Sequence, residues 1–160
     1  MKATILCYVL LAAVLFPNTS YSAEYKEERC LALNIYFEAR SESLAGQYAV
    51  ADVVLNRVES SRFPNDICSV VLQAKKWKGK IIRNKCQFSW YCDGKPDVPL
   101  DTDAWTRSIE VAVNIIHVNK FRGITEGSTH YHTDYVDPYW NRNMRLITSI
   151  GDHIFYTETL

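Results

Sequence analysis

The sequence predicts an α+β fold that is mainly helical, with a small antiparallel sheet near the carboxyl terminus. Apolar residues recur at helical spacing as far as about Asn119, and extended segments follow only after that point. Helices that precede strands, rather than alternating with them, are typical of the α+β class. The chain has 160 residues, enough for one domain with its own core.

Four helices account for the first part of the prediction. The second is apolar on almost every side, which indicates burial, and the residues Ser41-Glu42-Ser43 before it offer a cap. The last has Asp101 or Asp103 as its cap. In order, the predicted helices run from about Tyr25 to Arg40, Leu44 to Glu59, Ile67 to Gln73, and Asp101 or Asp103 to Asn119.

Residues 75–99 are predicted to be irregular, because glycines and prolines interrupt them. Long loops in compact domains are usually functional or tied by disulfides. Further on, residues 129–133 are predicted to be extended. The apolar runs Leu146–Thr148 and His153–Tyr156 flank Gly151-Asp152, which predicts a hairpin.

The amino terminus predicts a signal peptide at residues 1–23. Lys2 precedes an apolar stretch that is short for a membrane span, and small residues follow near Ser22 and Ala23. A retained anchor is the alternative. We therefore expect residues 24–160 to form an exported domain, periplasmic or extracellular, that meets the membrane only through the signal peptide and is monomeric.

The charge balance argues against nucleic acid as a partner. The chain has 18 basic and 18 acidic residues, and loss of Lys2 with the signal peptide leaves the domain with a formal charge of about −1. Such a balance predicts no strongly basic face, although an anionic polymer could still bind through local groups.

Four cysteines remain after the predicted cleavage: Cys30, Cys68, Cys86 and Cys92. An even number in an exported chain predicts two disulfides, with three pairings open. A zinc cluster is the alternative, but no C-x-x-C spacing supports it.

Glu38 is the strongest candidate for chemistry. Leu31, Ile35 and Glu38 share one helix face, while Arg40 points nearly the opposite way. A carboxyl group on an apolar stripe holds its proton more tightly than a free one, as a general acid requires. The alternative is a helix-end glutamate that turns to water.

The second helix carries a stripe of small residues followed by Asp52 and Asn56. Buried polar groups need partners or a cavity. We interpret both, together with Gln47, as residues that support the site. The structural alternative is a buried hydrogen bond between helices.

Five segments in order resemble the SleB/CwlJ family of bacterial cell-wall hydrolases, whose best-known members are spore cortex-lytic enzymes. Ser41 replaces the glycine of the family's EARGE motif, which should matter little to the chemistry. The segments are Ile35–Arg40, Gly46–Val58, Cys86–Gly94, Thr129–His132 and, after Trp140, Ile150–Tyr156.

The resemblance implies a lysozyme- and transglycosylase-like domain that acts on the MurNAc-GlcNAc β-1,4 bond of peptidoglycan without a cofactor or metal. It places the catalytic acid at Glu38. It also implies a substrate groove bordered by Phe88, Ser89, His130, Tyr131 and His132, to which Trp140 is added as an aromatic candidate for stacking on sugars.

Three alternatives stay open. A hydrolytic route would need a second carboxylate near Glu38, from Asp52, Asp93, Asp134 or Asp137. His130 and His132 could serve a zinc-dependent amidase with Asp134, although a third ligand at helical spacing is missing. A non-catalytic wall-binding or inhibitor protein would suit the small size and the disulfides.

Overall fold

The computed structural model describes residues 19–159, with side chains from Tyr25 onward. Most of the predicted signal peptide, residues 1–18, lies outside the described residues. Thr19–Ala23 form the start of the first helix, so that helix begins earlier than predicted. The division of the chain at residue 23 stays a prediction.

Four α-helices and five strands form the described part of the chain, which confirms the α+β class. The strands form a two-stranded antiparallel sheet, β1–β2, and a three-stranded antiparallel sheet in the order β3–β5–β4. None of these helices combines the length and apolarity that a membrane crossing requires. The helices are α1 (Thr19–Ala39), α2 (Leu44–Glu59), α3 (Ile67–Val71) and α4 (Thr102–Val118), and the strands are β1 (Ala74–Trp77), β2 (Lys80–Cys86), β3 (His130–Thr133), β4 (Met144–Ile150) and β5 (His153–Glu158).

Side-chain caps fix where the helices begin. Ser43 accepts a hydrogen bond from the amide of Gly46 at 3.2 Å, and α2 has the predicted bounds. Asp101, rather than Asp103, caps α4 by accepting from the amide of Ala104 at 2.9 Å. Both helices therefore start where the sequence offers a cap residue.

Helix α2 lies at the centre of the molecule, which explains its apolar character. On one side it packs with α1, α3 and α4 around Leu31, Ile35, Val54 and Ile115, all fully buried. On the other side Ala49 and Val53 pack against Phe155 of β5. Apolar burial on both sides holds helices and sheet in a fixed relation.

The two disulfides join Cys30 to Cys68 and Cys86 to Cys92. The first ties α1 to α3, and the second ties the end of β2 to a 3₁₀ turn at Ser89–Cys92. The prediction of two disulfides is confirmed, and one of the three open pairings is selected.

The prediction of an irregular segment over residues 75–99 is wrong in its first part, where β1 and β2 form a hairpin. Its two-residue turn is Lys78-Gly79, and both residues have positive φ angles, 48° and 78°. Every residue of the strands except Ala74 and Cys86 is exposed. The alternation of apolar and polar residues that marks a half-buried strand is therefore missing.

Candidate active site

Glu38 lines a cavity of about 190 Å³ where α1, α2, the segment after β2 and strand β3 meet. The last turn of α1 presents Glu38, because Leu31 and Ile35 on the same face are fully buried in the core. The predicted apolar stripe is confirmed. The other residues that line the cavity are Arg57, Gln87, Phe88, Ser89 and Tyr131.

Burial raises the pKa of the Glu38 carboxyl, and two neighbours oppose that effect. The Tyr131 hydroxyl donates a hydrogen bond to Oε2 of Glu38 at 3.3 Å, and the positive charge of Arg57 acts in the same direction. A half-buried carboxyl with a raised pKa holds its proton to higher pH than a free one, which is the direction that a general acid requires.

Arg57 is the functional candidate that the sequence interpretation missed. It is buried on α2, its Nε donates to the carbonyl of Thr129 at 2.7 Å, and its guanidinium lies 5.2 Å from the ring centre of Phe88. When the Gln87 amide is turned so that its oxygen faces Arg57, that oxygen accepts from Nη1 and Nη2 of Arg57 at 3.2 and 3.3 Å. Burial lowers the pKa of Arg57 to about 10, which leaves it charged at neutral pH.

Tyr131 faces Glu38 from strand β3 and is supported from behind. Burial, followed by the charge of Glu38, raises the Tyr131 pKa well above its ordinary value, so the hydroxyl keeps its proton. The ring of His153 meets the Tyr131 ring edge-on at 5.1 Å, and Nδ1 of His153 lies 3.6 Å from Oε1 of Glu42. Gly151 has a positive φ of 59°, which favours glycine, and a Cβ there would displace the carboxylate of Glu42.

The structure brings Phe88 and Ser89 to the site, as the sequence predicts. Phe88 is buried beneath Arg57, and Ser89 is exposed at the wall of the cavity. Trp90, which follows Ser89 in the chain, points into the core, where it stacks on Phe37 at 4.9 Å and donates to Oδ1 of Asn34 at 3.1 Å. Its indole is therefore not free to stack on a sugar.

The sequence model of the family described as Cell Wall Hydrolase matches residues 41–156, about three quarters of the chain. The chain belongs to the Cell Wall Hydrolase family. Arg57, Ser89 and Tyr131 lie within the match, and Glu38 stands three residues before its start.

Similar proteins agree with this assignment. The chain is 47% identical over 127 residues to a spore cortex-lytic enzyme of Bacillus subtilis and 44% identical over 125 residues to one of Bacillus cereus. These matches cover 79% and 78% of this chain but only 36% and 42% of those proteins. The chain therefore corresponds to less than half the length of these relatives.

Solved structures show the same fold. The catalytic domain of the germination-specific lytic transglycosylase SleB from Bacillus anthracis superposes with a TM-score of 0.60 at 26% identity, covering 82% of this chain and 93% of that domain. The catalytic domain of Bacillus cereus SleB gives a TM-score of 0.55 at 26% identity, covering 82% and 91%. The lysozyme-like fold expected from the resemblance is confirmed.

Three residues predicted to bind substrate do not line the Glu38 cavity: His130, His132 and Trp140. Successive residues of a strand point to opposite faces, so His130 and His132 turn away when Tyr131 faces Glu38. Their rings lie 5.6 and 5.5 Å from the ring of Trp140. The prediction that they border a longer substrate groove stays a prediction.

The surroundings of both histidines are those of packed side chains. Nδ1 of His132 donates to the carbonyl of Thr133 at 2.8 Å, which leaves Nε2 to accept from the Tyr156 hydroxyl at 2.9 Å. Burial, followed by the charges of Arg57 and Arg62, lowers the pKa of His130 to about 4. Within residues 25–159, no group of three or more His, Cys, Asp or Glu side chains is arranged to hold a metal ion.

The polar residues on α2 serve the scaffold. Asp52 is fully buried and binds the loop at residues 122–125, while Asn56 donates to the carbonyl of Ser128 at 2.9 Å. The Gln47 amide donates to the carbonyl of Glu42 at 3.2 Å. The partners of Asp52 and Asn56 come from a loop rather than from another helix, so the alternative of a hydrogen bond between helices is wrong, and support of the site by these residues stays a prediction.

Among the described residues, the carboxyl group of Glu38 is the only one that lines this cavity. Asp52 is occupied by the 122–125 loop, and Asp93 accepts from the amide of Lys95 at 2.8 Å. Asp134 and Asp137 are exposed, and Asp137 accepts from the Asn141 amide at 2.9 Å. The four aspartates considered as partners of Glu38 therefore lie outside the cavity.

Proposed function

We propose that this domain cleaves the β-1,4 bond between MurNAc and GlcNAc in peptidoglycan as a lytic transglycosylase, with Glu38 as general acid and then general base. The observation that carries the proposal is a single carboxyl group of raised pKa in a cavity whose other described lining residues are not acidic. The Cell Wall Hydrolase match and the lytic transglycosylase named among the similar structures support it.

The proposed reaction needs one carboxyl group and no water. Protonated Glu38 donates its proton to the glycosidic oxygen as the bond from that oxygen to C1 of MurNAc breaks. The resulting carboxylate then accepts the proton of the C6 hydroxyl, whose oxygen bonds to C1. The products are a GlcNAc-ended strand and a 1,6-anhydro-MurNAc end, and Glu38 is again protonated.

The neighbours of Glu38 suit the two halves of this cycle. The hydrogen bond from Tyr131 and the charge of Arg57 lower the pKa of Glu38, which favours its anionic form. These contacts therefore stabilise the carboxylate formed after the first step, while burial favours the protonated form that begins it.

Glu38→Gln tests the assignment, because glutamine preserves the shape of the side chain but cannot transfer the proton. We expect a loss of about 10²–10⁴-fold in the rate of glycan cleavage, the range typical of general acid–base catalysis. Purified peptidoglycan is incubated with each form, and the released muropeptides are identified by mass spectrometry. Glu110→Gln, at an exposed position of α4, is the matched control.

The products distinguish the alternatives. Anhydro-muramyl ends that are present with the wild type and the control but lost with Glu38→Gln support the proposal. Reducing MurNAc ends would indicate hydrolysis, and free stem peptides an amidase. Full activity of Glu38→Gln would rule out Glu38 as the acid.

We also propose that residues 1–23 direct export and are removed. The basic start, the short apolar stretch and two disulfides in the folded domain support an oxidising destination. Expression of the full chain in a Gram-negative host, followed by fractionation and amino-terminal sequencing, tests this. A product in the periplasm that begins near Glu24 is expected, whereas an intact amino terminus would contradict cleavage.

A further inference from the structure

Hairpin β1–β2 concentrates positive charge in a chain whose formal net charge is zero. Residues 74–92 contain six cationic residues and no acidic residue. All six are exposed, so their fields add at one surface of the domain. The cationic residues are Lys75, Lys76, Lys78, Lys80, Arg83 and Lys85.

A cavity of about 420 Å³ lies where this hairpin opens. The strand pairs Ala74–Cys86 and Lys76–Ile81 enclose a bulge, in which Asn84 has a positive φ of 57°. Bulges redirect side chains and often lie next to active sites. The residues that line the cavity are Gln73, Ala74, Lys75, Asn84, Lys85, Cys86 and Gln87.

The hairpin cavity adjoins the catalytic cavity. Gln87 lines both of them, and the Cys86–Cys92 disulfide anchors the segment between the hairpin and the 3₁₀ turn. The amide of Gln87 donates to the carbonyl of Gln73 at 2.8 Å, which fixes the shared wall. The cavity beside Lys75 and Lys85 therefore shares a wall with the cavity that holds Glu38.

The two lysines of the hairpin cavity are available to a ligand. Within residues 25–159, no hydrogen bond or ion pair engages the ammonium group of Lys75 or Lys85. Arg83, by contrast, is held by two hydrogen bonds to the carbonyl of Asp93, at 3.0 and 2.7 Å. Unpaired ammonium groups at the edge of a polar cavity suit a carboxylate ligand.

We propose that the hairpin cavity binds the carboxylates of the peptidoglycan stem peptide, with Lys75 and Lys85 as the charged contacts. The inference rests on the proposed function, because it takes peptidoglycan as the substrate. In intact peptidoglycan the glycan strand is uncharged, whereas the stem peptides that branch from MurNAc carry carboxylates. The domain therefore favours glycan that bears charged peptides.

The test measures binding separately from cleavage, on the Glu38→Gln background. Insoluble peptidoglycan, stripped of other polymers, is sedimented with the protein before and after its carboxylates are converted to amides by carbodiimide and ammonia. The variant is Lys75→Gln with Lys85→Gln. The matched control is Lys95→Gln with Lys120→Gln, which removes the same charge from exposed positions outside the hairpin.

We expect the hairpin variant to bind untreated peptidoglycan roughly three- to tenfold more weakly, as fits two exposed charge contacts. Amidated peptidoglycan should bind both forms equally, the control should match the parent, and arginine at both positions should restore binding. A loss shared by the control, or one that persists on amidated peptidoglycan, would overturn the proposal.

Two further outcomes distinguish a carboxylate subsite from a membrane-binding surface and from the proposed glycan cleavage. Trp77 is 68% exposed near the hairpin turn, so vesicles with anionic phospholipid are tested in parallel. A variant that loses vesicle binding but keeps peptidoglycan binding would overturn the proposal in favour of a membrane surface. Carboxylate-dependent binding by a wild type that cleaves no glycan would support the subsite and reject the proposed activity.

Discussion

Glu38 and Asp52 are two buried or half-buried acidic side chains on neighbouring helices, and their surroundings differ sharply. Asp52 is fully buried and saturated with donors, whereas Glu38 faces a cavity and accepts from Tyr131 at 3.3 Å. The donors to Asp52 are Nη1 of Arg122, the amides of Gly123 and Thr125 at 2.9 and 3.1 Å, and the hydroxyl of Thr125 at 2.6 Å.

The difference distinguishes a carboxyl group that stabilises the fold, Asp52, from one that is placed to take part in a reaction, Glu38. The donors around Asp52 make its carboxyl group part of the fold, because the buried amide and hydroxyl of Thr125 would lose their acceptor without it. Glu38 is under-supplied with donors for its degree of burial, and so its pKa rises. A carboxyl group in that state, facing a cavity, can exchange a proton with a ligand.

Asp52→Ala should produce the largest loss of stability in this comparison. It leaves the buried amide and hydroxyl of Thr125 without their acceptor, at a cost of about 1–3 kcal/mol for each group, while Arg122 keeps Asn56 and Glu59 as partners. The free energy of unfolding is measured by urea denaturation. Asp52→Asn, which keeps the shape and one acceptor oxygen, should lose less.

The same variant tests whether the two carboxyl groups are separable. Enzyme that remains folded with Asp52→Ala should still form anhydro-muramyl ends, because Asp52 does not line the Glu38 cavity. A loss of stability below about 1 kcal/mol would mean that water replaces Asp52 as the partner of the loop.

Local patterns predicted the elements that depend on local chemistry. Helix α2 and its Ser43 cap agree with the sequence, and so does the β4–β5 hairpin at Gly151-Asp152. Hairpin β1–β2 was missed because exposed lysines replace the alternating pattern that reports a buried face. The disulfide pairing depends on how α1 packs with α3, which spacing along the chain does not encode.

Local patterns were also insufficient to predict the candidate site where its residues come from distant parts of the chain. Glu38, Phe88, Ser89 and Tyr131 are brought together as the motifs predicted, but Arg57 was missed. Only Arg40 was considered as a cation near Glu38, whereas the cation that lowers the Glu38 pKa is Arg57, on the next helix. The donors to Asp52 lie some seventy residues further along the chain, so helical spacing could not reveal them.

His132→Ala should weaken the fold but not the chemistry. The substitution leaves the buried Tyr156 hydroxyl without its acceptor, a cost of about 1–3 kcal/mol, while the carbonyl of Thr133 still accepts from the amide of Val136. Urea denaturation measures the loss, and muropeptide release by the folded fraction should match the wild type. Cleavage that fails in fully folded protein, or that a chelator abolishes in the wild type, would return His132 to the active site.

Tyr131→Phe should change the pH dependence of the cleavage rate more than it changes the maximal rate. The Tyr131 hydrogen bond lowers the Glu38 pKa, so its removal raises that pKa and carries the protonated acid to higher pH. We expect the alkaline limb of the rate profile to move upward, and the plateau rate to fall by no more than about tenfold, the value of one hydrogen bond. An unmoved limb would make Tyr131 a packing residue only.

Glu38→Gln should have the smallest and most diagnostic effect on stability. The folded pKa of Glu38 lies above its ordinary value of 4.5, so the native state binds the proton more tightly than the unfolded chain. The wild type therefore loses stability as the pH rises from 4.5 through the folded pKa, a loss that glutamine avoids.

The stability difference between Glu38→Gln and the wild type should thus be near zero at about pH 4 and favour the variant at about pH 8. Urea denaturation at both pH values, with Glu110→Gln as the control, measures it. A difference independent of pH would show that burial does not penalise the Glu38 charge. A variant that is less stable at high pH would place Glu38 with Asp52, among the carboxylates that hold the fold together, and remove the physical basis for its role as an acid.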